Sequence, residues 1–250
     1  PVQGKNGNKQ GMSSLHFLLM HFLPQKIQYD IVSLLKFNAL PVPLSIVTCV
    51  SNPTMYQENI QSRLGRYPFI ELIAVENTDN RYSAAQALNS GLSLARHDLV
   101  FCCHQDVVFH DRFWQRFFKL LALLPPRWGV LGCAGKTTID YPVQPGCTFG
   151  PQGDMSWGLP RWIDRYTGRA QTIDDFLLII RKSSGLRFDE ALPHFHFYGA
   201  DLCLAALKKG LLNFGLNLPV THLSSTGADG FSKAKTAYYA NWAQLKGKWL

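Results

Sequence analysis

Two apolar segments decide the fold of this chain: FIELIAVENTDN at residues 69–80 and LVFCCHQDV at residues 99–107. Each begins with a run of apolar side chains and ends in polar ones, which is the pattern of a buried β-strand followed by a loop. In an open α/β sheet, ligands bind outside the carboxyl ends of the parallel strands. We therefore expect both polar ends to face one cleft that suits a nucleotide and a divalent cation.

Strands and helices are predicted to alternate along the rest of the chain. Further strands are predicted at residues 44–50, 129–133, 173–180 and 214–222, and helices at residues 55–64, 82–96, 111–124, 198–209 and 233–249. Asp111 is expected to cap the third of these helices. Apolar runs without alternation are typical of a parallel sheet covered on both faces. The predicted fold class is therefore α/β, with a mainly parallel central sheet covered by helices.

Length and composition indicate one large globular domain. The chain has 250 residues, of which 46% are hydrophobic and 17% charged, enough to bury a substantial core. We predict an N-terminal helical leader at residues 1–43 and the main domain at residues 44–250. The apolar run Leu15–Leu23 is shorter than the roughly 20 residues of a membrane-spanning helix, so we expect it to pack on protein.

Charge and cysteine usage narrow the partners and the compartment. The net charge of +8 permits anionic partners, but the basic residues are scattered, so no nucleic acid is predicted. Peripheral contact with a membrane remains open. The absence of a C-x-x-C pair argues against a zinc knuckle or a redox pair. A reducing, cytoplasmic location is therefore expected.

Polar residues after the predicted strands are candidates for binding a nucleotide and a metal. Asp106 can hold Mg²⁺ or Mn²⁺ together with substrate oxygens, although an Asp at this place can also be a turn or cap residue. Glu76 and Asn77 can bond to a base edge and a ribose, or serve ordinary turn chemistry. A neutral His222 can complete a Mn²⁺ shell.

Asp201 is the candidate general base. It lies in the first turn of a predicted helix, where the helix dipole alone would favour a carboxylate. If it faces the cleft, it can accept a proton from an incoming hydroxyl. Three other enzyme classes lack their motifs here: G-x-G-x-x-G, G-x-x-x-x-G-K-[ST] and G-x-S-x-G are absent, which argues against dinucleotide-dependent dehydrogenases, P-loop NTPases and α/β-hydrolases.

The order of these elements resembles the family 2 glycosyltransferases of the GT-A fold, and most closely a branch with a His-Gln-Asp-Val motif. The similarity spans roughly residues 44–227. It is carried by the opening strand at 45–50, VEN at 75–77, ALNSG at 87–91, HQDV at 104–107 and YGADL at 198–202. The first Asp of the family's Asp-x-Asp metal motif is His104 here, and the second is Asp106. The family's acidic Glu-Asp pair falls on Tyr198 and Gly199 here, so the base is Asp201 or lies elsewhere.

The resemblance implies a hexosyltransferase-like enzyme that moves a sugar from a nucleotide-diphosphate donor to a hydroxyl of a saccharide or other acceptor. The reaction would be inverting and assisted by Mn²⁺ or Mg²⁺, with Asp106 and His222 as metal ligands and Asp201 as base. The implied donor contacts are Val50, Ser51, Glu76, Asn77, Asn89, Gln105 and Asp106. Residues 135–159 would form an acceptor-side flap. The alternative is a catalytically impaired sugar-nucleotide-binding module, since His104 and Gly199 stand where acids are expected.

Overall fold

One large sheet with helices on both faces forms the described part of the protein. The computed structural model describes residues 40–137, 148–149, 167–223 and 230–242. The strands are β1 (Leu44–Val50), β2 (Ile70–Glu76), β3 (Leu99–Cys103), β4 (Val107–Phe109), β5 (Trp128–Gly132), β6 (Gly135–Thr137), β7 (Thr148–Phe149), β8 (Gly168–Ile173), β9 (Leu177–Arg181), β10 (Leu212–Gly215) and β11 (Val220–His222). The helices are α1 (residues 53–64, with a π-helical middle at Gln57–Gln61), α2 (Ala84–Leu94), α3 (Phe113–Leu121), α4 (Tyr198–Lys208) and α5 (Phe231–Trp242), with a 3₁₀ turn at Lys182–Ser184.

The sheet has the order β2-β1-β3-β9-β5-β10-β8-β6-β7 within the described residues. β1 pairs in parallel with both β2 and β3, and β5 pairs in parallel with β10. β9 lies antiparallel between β3 and β5. Six of these nine strands (β1, β2, β3, β5, β6 and β10) run in one direction. The predicted α/β class with a mainly parallel sheet is confirmed.

Apolar side chains on both faces of the central strands account for this architecture. One face of the sheet buries Val47, Val100 and Leu178 under α2 and α4. The other face buries Ile46 and Phe101 under α1 and α3. β3 lies inside the sheet, between β1 and β9, and every one of its residues is buried. The polar residues that follow it are therefore held at a fixed place.

Several predicted elements differ from the observed ones. The predicted strand at residues 173–180 is two strands, β8 and β9, because the adjacent carboxylates Asp174 and Asp175 form a turn between them. The predicted strand at 214–222 is also two strands, β10 and β11, with Pro219 in the connection. Asp111 is not a helix cap: α3 begins at Phe113 after Arg112, whose side chain makes no capping bond.

A short second sheet carries the chain back to the end of β3. β4 pairs antiparallel with β11, and His222 lies opposite Val107 in this ribbon. The ribbon therefore brings a residue from late in the chain beside the loop that follows β3.

Three predicted features fall at least partly outside the described residues. These are the Leu15–Leu23 segment, the central part of the flap at 135–159 and the end of the last helix beyond Trp242. Among the helices of the described ranges, none combines the length and the apolar character that crossing a lipid bilayer requires.

Candidate metal centre

Two imidazoles and one carboxylate meet at the carboxyl end of β3. His104 Nδ1 lies 3.3 Å from His222 Nε2. Asp106 Oδ1 lies 3.3 Å from His222 Nε2 and 3.8 Å from His104 Nδ1. We call His104, Asp106 and His222 the triad. It joins the two predicted metal ligands, Asp106 and His222, to a third residue that the sequence pattern marked only as a departure from Asp-x-Asp.

Backbone hydrogen bonds hold the triad from two sides. The His104 amide donates to the Phe176 carbonyl (2.9 Å), and the Leu223 amide donates to the Asp106 carbonyl (3.0 Å). The ring of Phe176 also stacks on the ring of His222, with the centroids 4.8 Å apart and the planes 12° from parallel. The turn between β8 and β9 and the end of β11 therefore fix the loop that carries His104 and Asp106.

Electrostatics give His104 and Asp106 the protonation states of metal ligands. Burial lowers the pKa of His104 to about 4, although the charge of Asp106 opposes the shift. Burial acts to raise the pKa of Asp106, but His222 and His104 outweigh it, and the pKa lies below its ordinary value. At neutral pH, His104 is therefore uncharged and Asp106 is ionised, as metal binding requires.

The triad fits a divalent cation by geometry and by chemistry. Asp106 is only 7% exposed, and within the described residues its Oδ1 atom has no hydrogen-bond partner. A buried oxygen of this kind is costly unless another group satisfies it. Ligand atoms around an ion bound at about 2.1 Å lie roughly 3.0–3.6 Å apart, close to the triad's separations. Two imidazoles and a carboxylate suit transition ions such as Mn²⁺, Fe²⁺ or Zn²⁺.

Gln105 braces the neighbouring loop after β1. The amides of Ser51 and Asn52 donate to Gln105 Oε1 at 3.0 and 2.9 Å, and Gln105 Nε2 donates to Ser51 Oγ at 2.9 Å. Buried Asn59, in the π-helical turn of α1, donates to the Gln105 carbonyl at 3.3 Å. Ser51 and Gln105 are thus brought together, and Val50 lies buried directly before them at the end of β1.

The other predicted donor contacts are Glu76, which is exposed, and Asn77 and Asn89, whose side-chain amides hydrogen-bond within the protein. Glu76 ends β2 opposite Val50 and is exposed. Asn77 is fully buried; its amide donates to the Tyr82 carbonyl (3.0 Å) and its oxygen accepts from the Tyr82 amide (3.0 Å). This is the turn chemistry that the sequence left open as the alternative.

Asn89 lies on α2 and bonds to a different segment. Its amide donates to the Phe188 carbonyl and to Glu190 Oε1, both at 2.9 Å, and its oxygen accepts from the Phe188 amide at 3.0 Å. These three bonds tie α2 to residues 188–190. The Asn89 side chain therefore stabilises the contact between α2 and this segment.

Asp201 is buried in the first turn of α4, one turn beyond Tyr198. Burial raises the pKa of Tyr238, on α5, and the charges of Tyr239 and Asp201 add to this effect. Asp201 thus lies near α5 as well as in the helix whose first residue contacts the triad.

Two acids that the sequence analysis does not single out, Asp174 and Asp175, lie beside the triad. Asp175 accepts hydrogen bonds from the amides of Phe197 (2.8 Å) and Gly199 (2.6 Å), so it caps the start of α4. Burial, and then the charge of Asp174, raise the pKa of Asp175 to about 8. Two adjacent carboxylates inside an apolar run were the signal for a turn here, since charged residues are rarely buried in a strand.

Comparison with solved structures shows that the sheet has a GT-A-like fold. A solved structure with this fold is GalNAc-T7, described with UDP, GalNAc and Mn²⁺: it matches with a TM-score of 0.53 and 12% sequence identity over 74% of this chain. The match spans 44% of that chain, less than half of its length. At this identity the likeness establishes the fold alone.

Sequence comparison adds one relative. A curated protein of Fuscovulum blasticum, named "ATP synthase subunits region ORF 6", is 25% identical over 194 residues, which are 74% of this chain and 77% of that protein. No protein-family model matches the chain.

Proposed function

We propose that this chain is a glycosyltransferase that uses a nucleotide-diphosphate sugar as donor. The observation that carries the proposal is the triad at the carboxyl end of β3: two histidines beside a buried Asp106 oxygen that makes no hydrogen bond within the described residues. In an open α/β sheet this edge is where ligands bind. The GT-A-like fold supports the same assignment. We propose further that the sheet domain occupies residues 44–250 and residues 1–43 form a separate leader.

The triad holds a divalent cation, and Mn²⁺ is the ion we propose. Mg²⁺ prefers oxygen ligands almost exclusively, whereas imidazole is a good ligand for transition ions. GalNAc-T7, which has the same fold, is described with Mn²⁺ and UDP, and this supports the choice of ion and of donor class. A bound cation would offset the negative charge that develops on the departing diphosphate.

The loops at the ends of β1 and β2 form the nucleotide side of the site in this proposal. Glu76 is exposed; its Oε1 accepts from Thr78 Oγ1 at 3.4 Å, and the carboxylate has further lone pairs that can accept from ribose hydroxyls. Val50 and Ser51 lie at the end of β1 beneath the proposed nucleotide site. Hydrogen bonds with Gln105 hold the loop at Ser51 in place. The amides of Asn77 and Asn89 support the surrounding backbone rather than the donor, because both are engaged within the protein.

The acceptor would be a saccharide or another hydroxyl compound. We propose that Asp201 removes the hydroxyl proton as the acceptor attacks the anomeric carbon, with inversion at that carbon. Its place in the helix that begins at Tyr198, which contacts His104, supports this role.

A sugar-nucleotide-binding module without turnover is the competing function. The observation in its favour is that His104 and Gly199 stand where the resemblance leads one to expect acids. The two functions differ in one measurable property, since both bind the nucleotide but only the enzyme consumes the donor.

Turnover of a panel of nucleotide sugars tests the proposal. Release of nucleoside diphosphate would be followed with Mn²⁺, with EDTA, and with Mn²⁺ restored, for the wild-type chain and for Asp106→Asn. Asp111→Asn is the matched control, because Asp111 is exposed and lies just beyond the triad's loop. If the chain is an enzyme, release of nucleoside diphosphate should depend on Mn²⁺, and Asp106→Asn should abolish it while Asp111→Asn should not. Donor binding with no release from any nucleotide sugar would favour the binding module.

A further inference from the structure

The far side of the His104 ring is held by Tyr198, the first residue of α4. His104 Nε2 lies 2.7 Å from Tyr198 Oη, and the Tyr198 hydroxyl donates to the Asp175 carbonyl at 3.0 Å. A carbonyl oxygen can only accept, so the single hydroxyl proton is used on Asp175. For both contacts to be hydrogen bonds, Tyr198 Oη accepts from His104, and the ring proton is then on Nε2.

This arrangement selects one of the two neutral forms of His104. With the proton on Nε2, the lone pair is on Nδ1, the atom that lies 3.3 Å from His222 Nε2 and 3.8 Å from Asp106 Oδ1. The other form would carry a proton on Nδ1, facing into the triad towards His222 Nε2, where it would take the place of a cation. A histidine that binds a metal usually donates its other ring N–H to a fixed partner for the same reason.

Tyr198 is itself held tightly at the backbone. The Asp175 carboxylate accepts from the amides on both sides of it, Phe197 and Gly199. At Gly199 there is no room for a side chain, since a Cβ atom would come within 2.7 Å of Asp175 Oδ1 and 3.0 Å of the Ile173 carbonyl. Phe197 has a φ of 65°, a left-handed conformation that is rare for a bulky residue. Such conformations persist only where the surroundings impose them.

We propose that Tyr198 is a positioning residue that keeps the His104 proton on Nε2, and that Asp175 anchors Tyr198 in the place this requires. The inference rests on the proposed metal site and names the residues that prepare it. It also assigns a purpose to Tyr198 and Gly199, which occupy the places of the family's acidic pair: Tyr198 orients a metal ligand, and Gly199 makes room for the carboxylate that holds Tyr198.

Tyr198→Phe removes only the hydroxyl and tests the proposal in two measurements. Long-range ¹H–¹⁵N NMR on the metal-free chain at constant pH reports which ring nitrogen of His104 carries the proton; the signal is assigned by its loss in His104→Gln. We expect the Nε2–H form in the wild type and a substantial fraction of the Nδ1–H form in Tyr198→Phe. Mn²⁺ affinity, measured by electron paramagnetic resonance, should fall about 10–100-fold in the variant, the usual loss for an outer partner of a ligand.

Tyr56→Phe is the matched control, since Tyr56 is also buried but lies in α1; it should change neither measurement. An Nδ1–H ring in the wild-type chain, or Mn²⁺ affinity and proton position unchanged in a folded Tyr198→Phe, would overturn the proposal. If Tyr198→Phe does not fold, the wild-type spectrum still tests the proposal, because it shows whether the His104 proton is on Nε2 or on Nδ1. A wild-type chain that binds no Mn²⁺ would refute the proposed function, while the spectrum would still judge the link between Tyr198 and His104.

Discussion

His104 Nδ1 and His222 Nε2 lie 3.3 Å apart although 118 residues separate them in the chain. Two structural elements create this proximity. The β4–β11 ribbon delivers His222 beside Val107, and the turn between β8 and β9 holds His104 through the Phe176 carbonyl. The same two elements bring both imidazoles to the buried carboxylate of Asp106, and a shared divalent cation is the ligand that we propose for all three side chains.

Replacing His222 should remove metal binding while leaving the fold in place. His222→Ala is expected to weaken Mn²⁺ binding by at least about 10–100-fold, the loss that follows removal of even an outer partner. Calorimetric titration with Mn²⁺ measures it. His110→Ala is the control, because His110 contacts Thr221 in the same ribbon but is exposed and outside the triad. Equal losses in both variants would mean that the ribbon matters and His222 is not a ligand.

Replacing Asn89 should affect stability and not nucleotide binding. Asn89→Ala deletes three hydrogen bonds to residues 188–190, so the free energy of unfolding should fall by about 1–3 kcal/mol. Urea unfolding measures this, and the affinity for UDP with Mn²⁺ should stay at the wild-type value. Ser90→Ala, an exposed neighbour on α2, should change neither. Unchanged stability with weaker nucleotide binding would instead make Asn89 a donor contact.

The Asp174–Asp175 pair should make the protein less stable as pH rises from 7 to 8. The pKa of Asp175 is raised to about 8, by burial and by Asp174, and an unfolded Asp titrates at about 3.9. The folded chain therefore binds more protons than the unfolded chain between these values, and its stability falls with pH. The pKa of His104 is lowered from 6.5 to about 4, so its titration makes the folded chain more stable as pH rises from about 4 to 6.5. Above pH 6.5, the pH dependence of stability therefore reports on Asp174 and Asp175.

Urea unfolding in EDTA across pH 6.5–8 checks this prediction. Asp174→Asn should flatten the slope, because it removes the neighbouring charge that helps to raise the pKa of Asp175. The exposed Asp111→Asn should keep it. A wild-type stability that is constant or rises over this window would mean that both carboxylates are ionised in the folded chain.

Asp201→Asn tests the proposed base. If Asp201 accepts the acceptor's proton, turnover should fall by about 10²–10⁴-fold, the usual contribution of an acid–base group, with nucleotide affinity unchanged. Steady-state kinetics and a binding titration on the same preparation provide both numbers. Turnover close to that of the wild type would assign Asp201 to the packing of α4 against α5 instead.

The central strands could be predicted from the sequence because their burial is continuous. β1 and β3 begin and end as the apolar runs at 44–50 and 99–103 do, and the polar residue after β3, Asp106, was identified as the metal candidate. Runs interrupted by a turn were harder to read. Asp174 and Asp175 lie between Ile173 and Phe176 in an otherwise apolar stretch, and a count of apolar residues joins two strands into one.

The rest of the site could not be predicted because it depends on long-range pairing. β4 and β11 have three residues each, too few to give a period, so the ribbon that brings His222 to Asp106 has no sequence signal; only residue type and the resemblance pair these two residues. His104 was interpreted as a lost acid, and only the structure gives it two partners, His222 and Tyr198. For Asn77 the sequence pattern allowed two roles, because a side-chain amide that follows a strand can bond either to a ligand or to the backbone of a turn.

Calorimetric titration of UDP with and without Mn²⁺, on the wild-type chain, Asp106→Asn and Asp111→Asn, tests the central claim most directly. The account predicts that Mn²⁺ strengthens UDP binding to the wild type and to Asp111→Asn by at least about tenfold, or 1.4 kcal/mol. Asp106→Asn should retain its fold by circular dichroism and lose the Mn²⁺ effect. UDP affinity that is the same at every Mn²⁺ concentration, or a Mn²⁺ effect that persists in Asp106→Asn, would contradict it.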